Sequence, residues 1–334
     1  MKTAYEHNKE LIQKTAHSMS YNGGDYESWK REAREKLSDL LGMDKFTKVD
    51  SKLEIEYEKA ENGVEEIRFT FESEDGYRVP CHLLRPEGAE NPPVMICLQG
   101  HSTGMHISLG RPKYPGDEES ISGGDRDFCI RAVKEGFVAI AVEQRNFGEC
   151  GAEETGQPRC HESTLTALLM GRTTIGERVW DVSRLIDLLE SDFSDKVDLK
   201  NICCMGNSGG GTATIYIAAL EDRIKLAMPS CAMCTYKDSI GAMNHCECNY
   251  VPNIALFFEM SDLLAMACPK YYIQVSGKDD PIFPIGAATE VFNEGKKAYA
   301  ANNVEDRCAL VIGAEGHRFY ADDAWPFVHK YLNR

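Results

Sequence analysis

The spacing of apolar residues changes along the chain, and each change predicts a different kind of element. Between residues 51 and 86, apolar and polar residues alternate at 53–57, 64–71 and 77–84. A period of two is typical of strands that bury one face. The turn sequence Glu74-Asp75-Gly76 separates the last two segments. We therefore expect antiparallel strands that lead into a larger sheet.

Beyond residue 90 the predicted strands change character, because their segments are apolar throughout. Continuous apolar runs are typical of parallel strands that are covered on both faces. Helical patterns separate these runs, which is the alternation of a parallel βαβ repeat. We predict an α/β fold with a mostly parallel central sheet flanked by helices. The runs lie at 94–98, 137–142, 202–205, 225–229, 271–275 and 309–312, and the helical patterns include 127–136, 175–190, 212–220 and 321–331.

The same patterns divide the chain into a short extension and one main domain. Residues 1–45 are predicted to form an N-terminal helical extension, since residues 29–41 carry an apolar stripe that ends at Gly42. Residues 46–334 are predicted to form the α/β domain. Segments without clear periodicity interrupt this domain, and long loops of this kind often cover a site. These lid-like insertions are expected at about 102–126, 149–172 and 231–262.

One serine stands at a sharp turn between a buried strand and an Ala-rich helix. The sequence Gly206-Asn207-Ser208-Gly209-Gly210 follows the apolar run 202–205 directly. A G-x-S-x-G turn in this context is a nucleophile elbow, which presents the serine hydroxyl at the carboxyl edge of the sheet. The N-terminus of the following helix directs N–H groups toward a developing oxyanion. Ser208 is therefore the candidate nucleophile, and the backbone N–H of Gly209 is one candidate oxyanion donor.

The turn after the apolar run 94–98 supplies the second candidate oxyanion donor. Its sequence is Gln99-Gly100-His101-Ser102, and a Gly-rich turn after this strand builds the other half of the oxyanion hole in enzymes with a nucleophile elbow. The backbone N–H of His101 is the first choice and that of Ser102 the second. The His101 side chain is not expected to act as the base, because a better placed histidine follows later.

A serine hydroxyl is a poor nucleophile, so it needs a base and a group that orients the base. His317 lies in a Gly-flanked loop after the last apolar run and is the best placed of the nine histidines. The orienting carboxylate is Asp279 or Asp280, which follow the run 271–275. The spacing from Gly277 and the Asp-Pro turn favour Asp280.

Cysteine and histidine residues between 231 and 248 form a metal-like pattern. Cys231 and Cys234 have CxxC spacing, and His245, Cys246 and Cys248 follow. Such ligands suit a tetrahedral zinc site, but the second pair has irregular spacing. We predict instead that these cysteines line a small apolar lid, with no metal and no cofactor in the site. A zinc site remains the alternative.

Composition restricts the partners and the compartment. The chain has 334 residues, and 53 acidic against 37 basic side chains give it a net charge of −16. This excess of acid argues against nucleic acid or an anionic membrane as a partner. No segment has the run of apolar residues of a membrane span or a signal peptide. The 13 scattered cysteines fit a reducing compartment, so we expect a cytoplasmic protein. A homo-oligomer is left open.

With these residues identified, the chain resembles bacterial α/β-hydrolases of the acetyl xylan esterase-like or dienelactone hydrolase-like kind, over about residues 25–330. The resemblance implies an α/β-hydrolase fold in which Ser208, Asp280 and His317, in that chain order, form a catalytic triad. The segments that carry it are 29–43, Gln99-Gly100-His101, 168–172, 175–181, 206–211, His245-Cys246-Glu247-Cys248 through Pro252, and the loops of Asp280 and His317.

These observations predict a serine esterase that cleaves a small carboxylic ester, an acetyl ester being the favoured substrate. An amide or peptide hydrolase with the same triad is the alternative within enzymes. A catalytically silent or zinc-stabilised protein that binds a small molecule in the hydrolase pocket is the alternative of another class. The acyl and alcohol specificity resides in the three insertions, where no local rule predicts a pocket.

Overall fold

A twisted sheet forms the centre of the protein in the computed structural model, which describes residues 1–152 and 154–333. Within these residues the sheet has nine strands in the order β1-β2-β3-β5-β4-β6-β7-β8-β9. Glu153 of the predicted 149–172 insertion and Arg334 of the predicted main domain lie outside the described residues. The strands are β1 (Glu54–Glu61), β2 (Val64–Glu74), β3 (Tyr77–Pro86), β4 (Pro93–Leu98), β5 (Val138–Val142), β6 (Asp198–Asn207), β7 (Ile224–Ser230), β8 (Tyr271–Gly277) and β9 (Cys308–Gly313).

Strand direction follows the two sequence patterns. The alternating segments became β1, β2 and β3, which pair antiparallel, and β3 also pairs antiparallel with β5. The apolar segments became β4 to β9, which pair parallel with one another. The predicted α/β class with a mostly parallel sheet is therefore confirmed.

Helices cover both faces of the sheet, and strand β4 shows why its segment had to be apolar throughout. Val94 and Ile96 pack into one hydrophobic core, whereas Met95 and Cys97 pack into a second core on the opposite face. Successive side chains of a strand point to opposite faces, so a strand between two helical layers needs apolar residues at every position. The helices are α1 (Ala4–Lys14), α2 (Tyr26–Leu41), α3 (Asp117–Gly124), α4 (Phe128–Lys134), α5 (Cys160–Leu169), α6 (Thr174–Asp192), α7 (Gly209–Leu220), α8 (Ile254–Phe257), α9 (Met260–Ala267), α10 (Ile285–Ala301) and α11 (Ala321–Leu332).

Helix α3 contradicts the prediction that the aperiodic insertion at about 102–126 is a long loop. Its first turn contains Asp117, Glu118 and Glu119, and acidic side chains there interact favourably with the positive end of the helix dipole. Only Asp117 and Gly124 are buried, so the helix has no apolar face. A search for apolar periodicity could not detect it for that reason.

The N-terminal segment packs against the main core. Ala33, Leu37 and Leu41 of helix α2 are fully buried in the core on the α6 and α7 side, and Gly42 ends this helix in the left-handed conformation, with φ 74°. These contacts do not test whether residues 1–45 form a separate extension, and that division stays a prediction. No helix among the described residues combines the length and the apolar composition that crossing a membrane requires.

Candidate active site

Ser208 lies at the carboxyl end of β6, in the turn before α7. Its backbone has φ 54° and ψ −121°, a strained conformation for a residue other than glycine. The turn is tight because a Cβ on Gly210 would collide with the carbonyl oxygen of Leu98. The Ser208 N–H donates to the carbonyl oxygen of Ser230 at 2.9 Å, which ties the turn to the neighbouring strand β7. The geometry is that of the predicted elbow.

His317 and Asp280 meet at the carboxyl edge of the sheet, in the loops that follow β9 and β8. Nδ1 of His317 lies 2.8 Å from Oδ2 of Asp280. The other carboxylate oxygen accepts hydrogen bonds from the N–H groups of Ile282 at 2.8 Å and Phe283 at 3.1 Å. Asp279 is exposed. The structure thus brings Asp280, and not Asp279, to the histidine.

The surroundings of Asp280 favour its ionised form. The residue is only 4% exposed, and burial alone would raise the pKa of the carboxyl group. The hydrogen bond and the charge of His317, together with the two backbone donors, outweigh burial and hold the pKa below its usual value. The carboxylate is therefore negative at neutral pH and can fix the orientation of the imidazole.

Ser208 and His317 line the same cavity, whose volume is about 320 Å³. Among the residues that the structure describes, no hydrogen bond joins the Ser208 hydroxyl to His317. Such bonds are often long in a free enzyme and tighten when substrate binds. The other residues that line the cavity are His101, Arg126, Gly209, Met243, Asn244, His245, Cys246, Asn249, Ile282 and Phe283.

The two predicted oxyanion donors lie beside the serine. An ideal Cβ on Gly100 would lie 2.9 Å from the Cβ of Ser208, so the backbone before His101 passes directly over the elbow. Within the described chain, the N–H groups of His101 and Gly209 donate to no other group. His101 and Gly209 line the cavity, whereas Ser102 does not. The structure therefore favours His101 over Ser102 as the second donor.

Arg126 brings a positive charge to this cavity. Its Nε is buried without a hydrogen-bond partner, and one Nη lies 3.5 Å from the carbonyl oxygen of His317. No carboxylate of the described residues forms an ion pair with it. Burial lowers the pKa of the guanidinium, but a guanidinium stays protonated in proteins. The cavity thus holds a positive charge that no carboxylate of the described residues balances.

The cysteine pattern noted in the sequence does not assemble as one group. Cys231 lies beside Asp280 and His317, and Cys234 packs in the core. Cys246 and Cys248 instead meet Cys160 and His101, and the four possible ligand atoms all lie within 4.8 Å of one another. Nε2 of His101 is 3.1 Å from Sγ of Cys248. We call His101, Cys160, Cys246 and Cys248 the thiol cluster.

Sequence reasoning missed three residues at or near the site. Arg126 ends a segment that has no periodicity, and Cys160 is distant in sequence from the other cysteines of the thiol cluster, so no local pattern marks either residue. Glu143 is buried just beyond β5, and its carboxylate accepts hydrogen bonds from Gln99 and from the N–H of Met105. A charged residue directly after a buried strand is a signal that could have identified it.

Comparisons with known proteins agree with this architecture. The family model for fungal glucuronyl esterases matches residues 160–235, which include the elbow. A protein of Bacillus subtilis (strain 168) named "Putative hydrolase YtaP" is 26% identical over 285 residues, which cover 82% of this chain and 90% of the relative.

Two solved structures extend the similarity over almost the whole chain. A "putative acetyl xylan esterase" from Bacteroides fragilis superposes with a TM-score of 0.79 at 15% identity, covering 98% of this chain and 84% of the other. A glucuronoyl esterase from Solibacter usitatus gives a TM-score of 0.68 at 16% identity, with 96% and 98% covered. These similarities show that the chain has an α/β-hydrolase fold and confirm the predicted resemblance to esterases with this fold.

Proposed function

We propose that the protein is a serine esterase that cleaves a small carboxylic ester through an acyl-serine intermediate. The observation that carries this proposal is the placement of His317, hydrogen-bonded to a buried ionised Asp280, on the same cavity as the strained Ser208. A hydroxyl, a base and a group that orients the base are the components that nucleophilic acyl transfer requires. The names of the relatives support ester rather than amide chemistry.

In the proposed mechanism, the oxygen of Ser208 attacks the ester carbonyl carbon while its proton passes to Nε2 of His317. The negative oxygen that forms accepts hydrogen bonds from the N–H groups of Gly209 and His101, each worth about 3–4 kcal/mol in the transition state. The intermediate collapses when His317 returns the proton to the leaving alcohol. Water, activated by the same histidine, then releases the acid from the serine. Asp280 orients the imidazole and stabilises its charged form throughout.

Arg126 gives this proposal a more specific substrate. A guanidinium without an anionic partner is the group that recognises carboxylate or phosphate, often through two parallel hydrogen bonds. The ester that fits the cavity therefore carries an anionic group a short distance from its carbonyl carbon. Acetyl remains the proposed acyl group of this ester, since one structural relative is named for acetyl xylan. The negative group then belongs to the alcohol part.

A fluorophosphonate probe, which reacts with activated serines, tests the proposal. We expect one modified serine per chain in the unaltered protein and none in Ser208→Ala. Ser108→Ala is the control, because Ser108 is a buried serine outside the cavity whose hydroxyl has no hydrogen-bond partner. A panel of acetyl, butyryl, aryl and amide substrates then separates ester from amide hydrolysis. A folded protein that neither reacts with the probe nor hydrolyses an ester would instead be a binding protein.

We also propose that the protein works in the reducing environment of the cytoplasm. All 13 cysteines are present as free thiols, and most of them are buried. We further propose a helical extension at 1–45 and a catalytic domain at 46–334 with lid-like insertions at about 102–126, 149–172 and 231–262. The first insertion lines the cavity through Arg126 and the third through residues 243–246 and 249. Cell fractionation would test the location, and export from the cell would contradict it.

A further inference from the structure

The thiol cluster combines four potential metal ligands from three separate segments. His101 comes from the loop after β4, and Cys160 is the first residue of α5. Cys246 directly precedes the short 3-10 turn Glu247–Asn249, and Cys248 lies within that turn. Cys160 and Cys248 are buried, and Cys246 is partly buried. Three thiol sulfurs and one imidazole nitrogen all lie within 4.8 Å of one another, so the four atoms are near enough to be ligands of one metal ion.

We propose that His101, Cys160, Cys246 and Cys248 bind one Zn²⁺ ion in a tetrahedral site. Three thiolates and one imidazole are a typical ligand set for structural zinc, with Zn–S bonds of about 2.3 Å and Zn–N bonds of about 2.0–2.1 Å. Those bond lengths place the ligand atoms roughly 3.5–3.8 Å apart. The observed spacing is therefore close to that of a formed site, and movements of about 1 Å or less would complete it.

Arg178 provides an independent observation that points to ionised thiols. This arginine is only 1% exposed, and its Nη1 lies 3.7 Å from Sγ of Cys248. Its Nη2 donates to the carbonyl oxygen of Arg145, and its guanidinium stacks on Phe147. In the part of the chain that the structure describes, no carboxylate forms an ion pair with it. A buried cation needs an anion, and the thiolates of the cluster supply one.

Charge balance favours a divalent cation in addition to Arg178. Three thiolates carry three negative charges, which a single guanidinium cannot neutralise in a buried site. One Zn²⁺ together with Arg178 makes the site formally neutral. The chemistry of the donor set and its charge therefore agree with the geometry.

The proposed zinc is structural rather than catalytic, because four protein ligands leave no open position for a substrate. It would join the loop of His101 to α5 and to the turn at 246–248. The His101 ring also packs against the elbow, since an ideal Cβ on Gly209 would lie 2.9 Å from two of its atoms. The metal would thereby hold the His101 backbone in place. This last role depends on the proposed esterase function, but binding of the metal does not.

Metal analysis of the purified protein tests the site without any substrate. The protein is treated with a chelator, incubated with ZnCl₂ and freed of unbound metal. We expect one zinc per chain, falling at least tenfold in Cys160→Ser, Cys246→Ser and Cys248→Ser. Cys308→Ser is the matched control, since Cys308 is also buried but lies on β9 and donates only to the carbonyl oxygen of Glu305. It should keep its zinc.

Two measurements on the unaltered protein decide the matter even if the cysteine variants fail to fold. The cobalt-substituted protein should show the visible bands of a tetrahedral site together with thiolate-to-metal charge transfer. X-ray absorption of the zinc protein should show three sulfur ligands and one nitrogen ligand. Absence of bound zinc, a disulfide within the thiol cluster, or zinc retained by all three folded variants would overturn the proposal. Fluorophosphonate labelling, measured separately, reports on the esterase function alone.

Discussion

Nδ1 of His317 lies 2.8 Å from Oδ2 of Asp280, and the second oxygen of the same carboxylate is held by two backbone N–H groups. The carboxylate cannot rotate away from the histidine without losing those two bonds. The histidine is thereby kept in the tautomer that carries its proton on Nδ1 and leaves Nε2 free to act as a base. In the proposed mechanism, this relationship between His317 and Asp280 is what allows the histidine to activate the serine.

Replacing Asp280 by Asn should reduce kcat by roughly 10³–10⁴-fold, because the amide stabilises the wrong tautomer of the base. Asp279→Asn is the matched control, since Asp279 is the adjacent residue in the same turn but is exposed. It should retain nearly full activity. Steady-state kinetics on an acetyl ester, with thermal unfolding to show that both variants are folded, make the comparison. The reverse result would assign the role to Asp279.

A methyl group at Gly100 should damage catalysis more than folding. An ideal Cβ there would lie 2.8 Å from the carbonyl oxygen of Asn207 and 2.9 Å from the Cβ of Ser208. Gly100→Ala should therefore push the His101 N–H away from the oxyanion and lower kcat by roughly 10²–10³-fold, the effect of losing one donor. In Gly286→Ala the new methyl group meets no neighbouring atom, so this control should be unaffected. An unchanged kcat in Gly100→Ala would exclude His101 as a donor.

The sequence predicted the sheet and the proposed triad because both depend on local patterns. Strand β4 had to be apolar at every position between two helical layers, and that requirement is visible in 94–98. Ser208, Asp280 and His317 each follow a strand directly. The carboxyl ends of parallel strands share one edge of the sheet, so their meeting could be inferred from strand direction alone. The helix α3 escaped detection because it buries no apolar face.

The thiol cluster and Arg126 could not be predicted in the same way. Cys246 and Cys248 were noted together with Cys231 and Cys234, because these residues are near one another in sequence. Their actual neighbour Cys160 begins a helix in a different insertion, and only tertiary packing brings it near them. Arg126 lies at the end of an aperiodic segment whose path no local rule determines. Long-range contacts between insertions are the part of this protein that required the structure.

Removal of the cation at Arg126 should change substrate preference rather than the chemical step. With an acetyl ester whose alcohol carries a carboxylate, Arg126→Gln should raise KM by roughly 10–100-fold, the value of a charge-assisted hydrogen bond. When the carboxylate on the alcohol is replaced by a neutral carboxamide and the acetyl ester is kept, the substitution should hardly change KM. Arg126→Lys keeps the charge but not the planar guanidinium. Its KM for the carboxylate substrate should therefore lie between those of the unaltered protein and Arg126→Gln. An equal loss of kcat on both substrates would mean that Arg126 acts on the oxyanion instead.

Glu143 connects the loop after β4 to the loop after β5. Its carboxylate accepts hydrogen bonds from Gln99 and from the N–H groups of Met105 and Glu149. The side chain is enclosed, with the residue only 1% exposed, and burial raises its pKa to about 8 although the two backbone donors oppose the shift. At neutral pH the folded protein therefore keeps a proton on Glu143 that the unfolded chain releases.

This difference predicts that Glu143 makes stability depend on pH. Because the folded pKa lies above the unfolded one, the stabilisation is complete below about pH 4.5 and is lost as pH rises through about 8. The free energy of unfolding that is lost amounts to roughly 1.4 kcal/mol for each unit by which the folded and unfolded pKa values differ. Glu143→Gln cannot titrate, so its free energy of unfolding should lack this component. Urea titrations give the free energy of unfolding of the unaltered protein and of Glu143→Gln at each pH. We expect the value of the unaltered protein minus that of the variant to fall steadily between pH 5 and pH 8. A constant difference over that range would show that Glu143 ionises equally in both states.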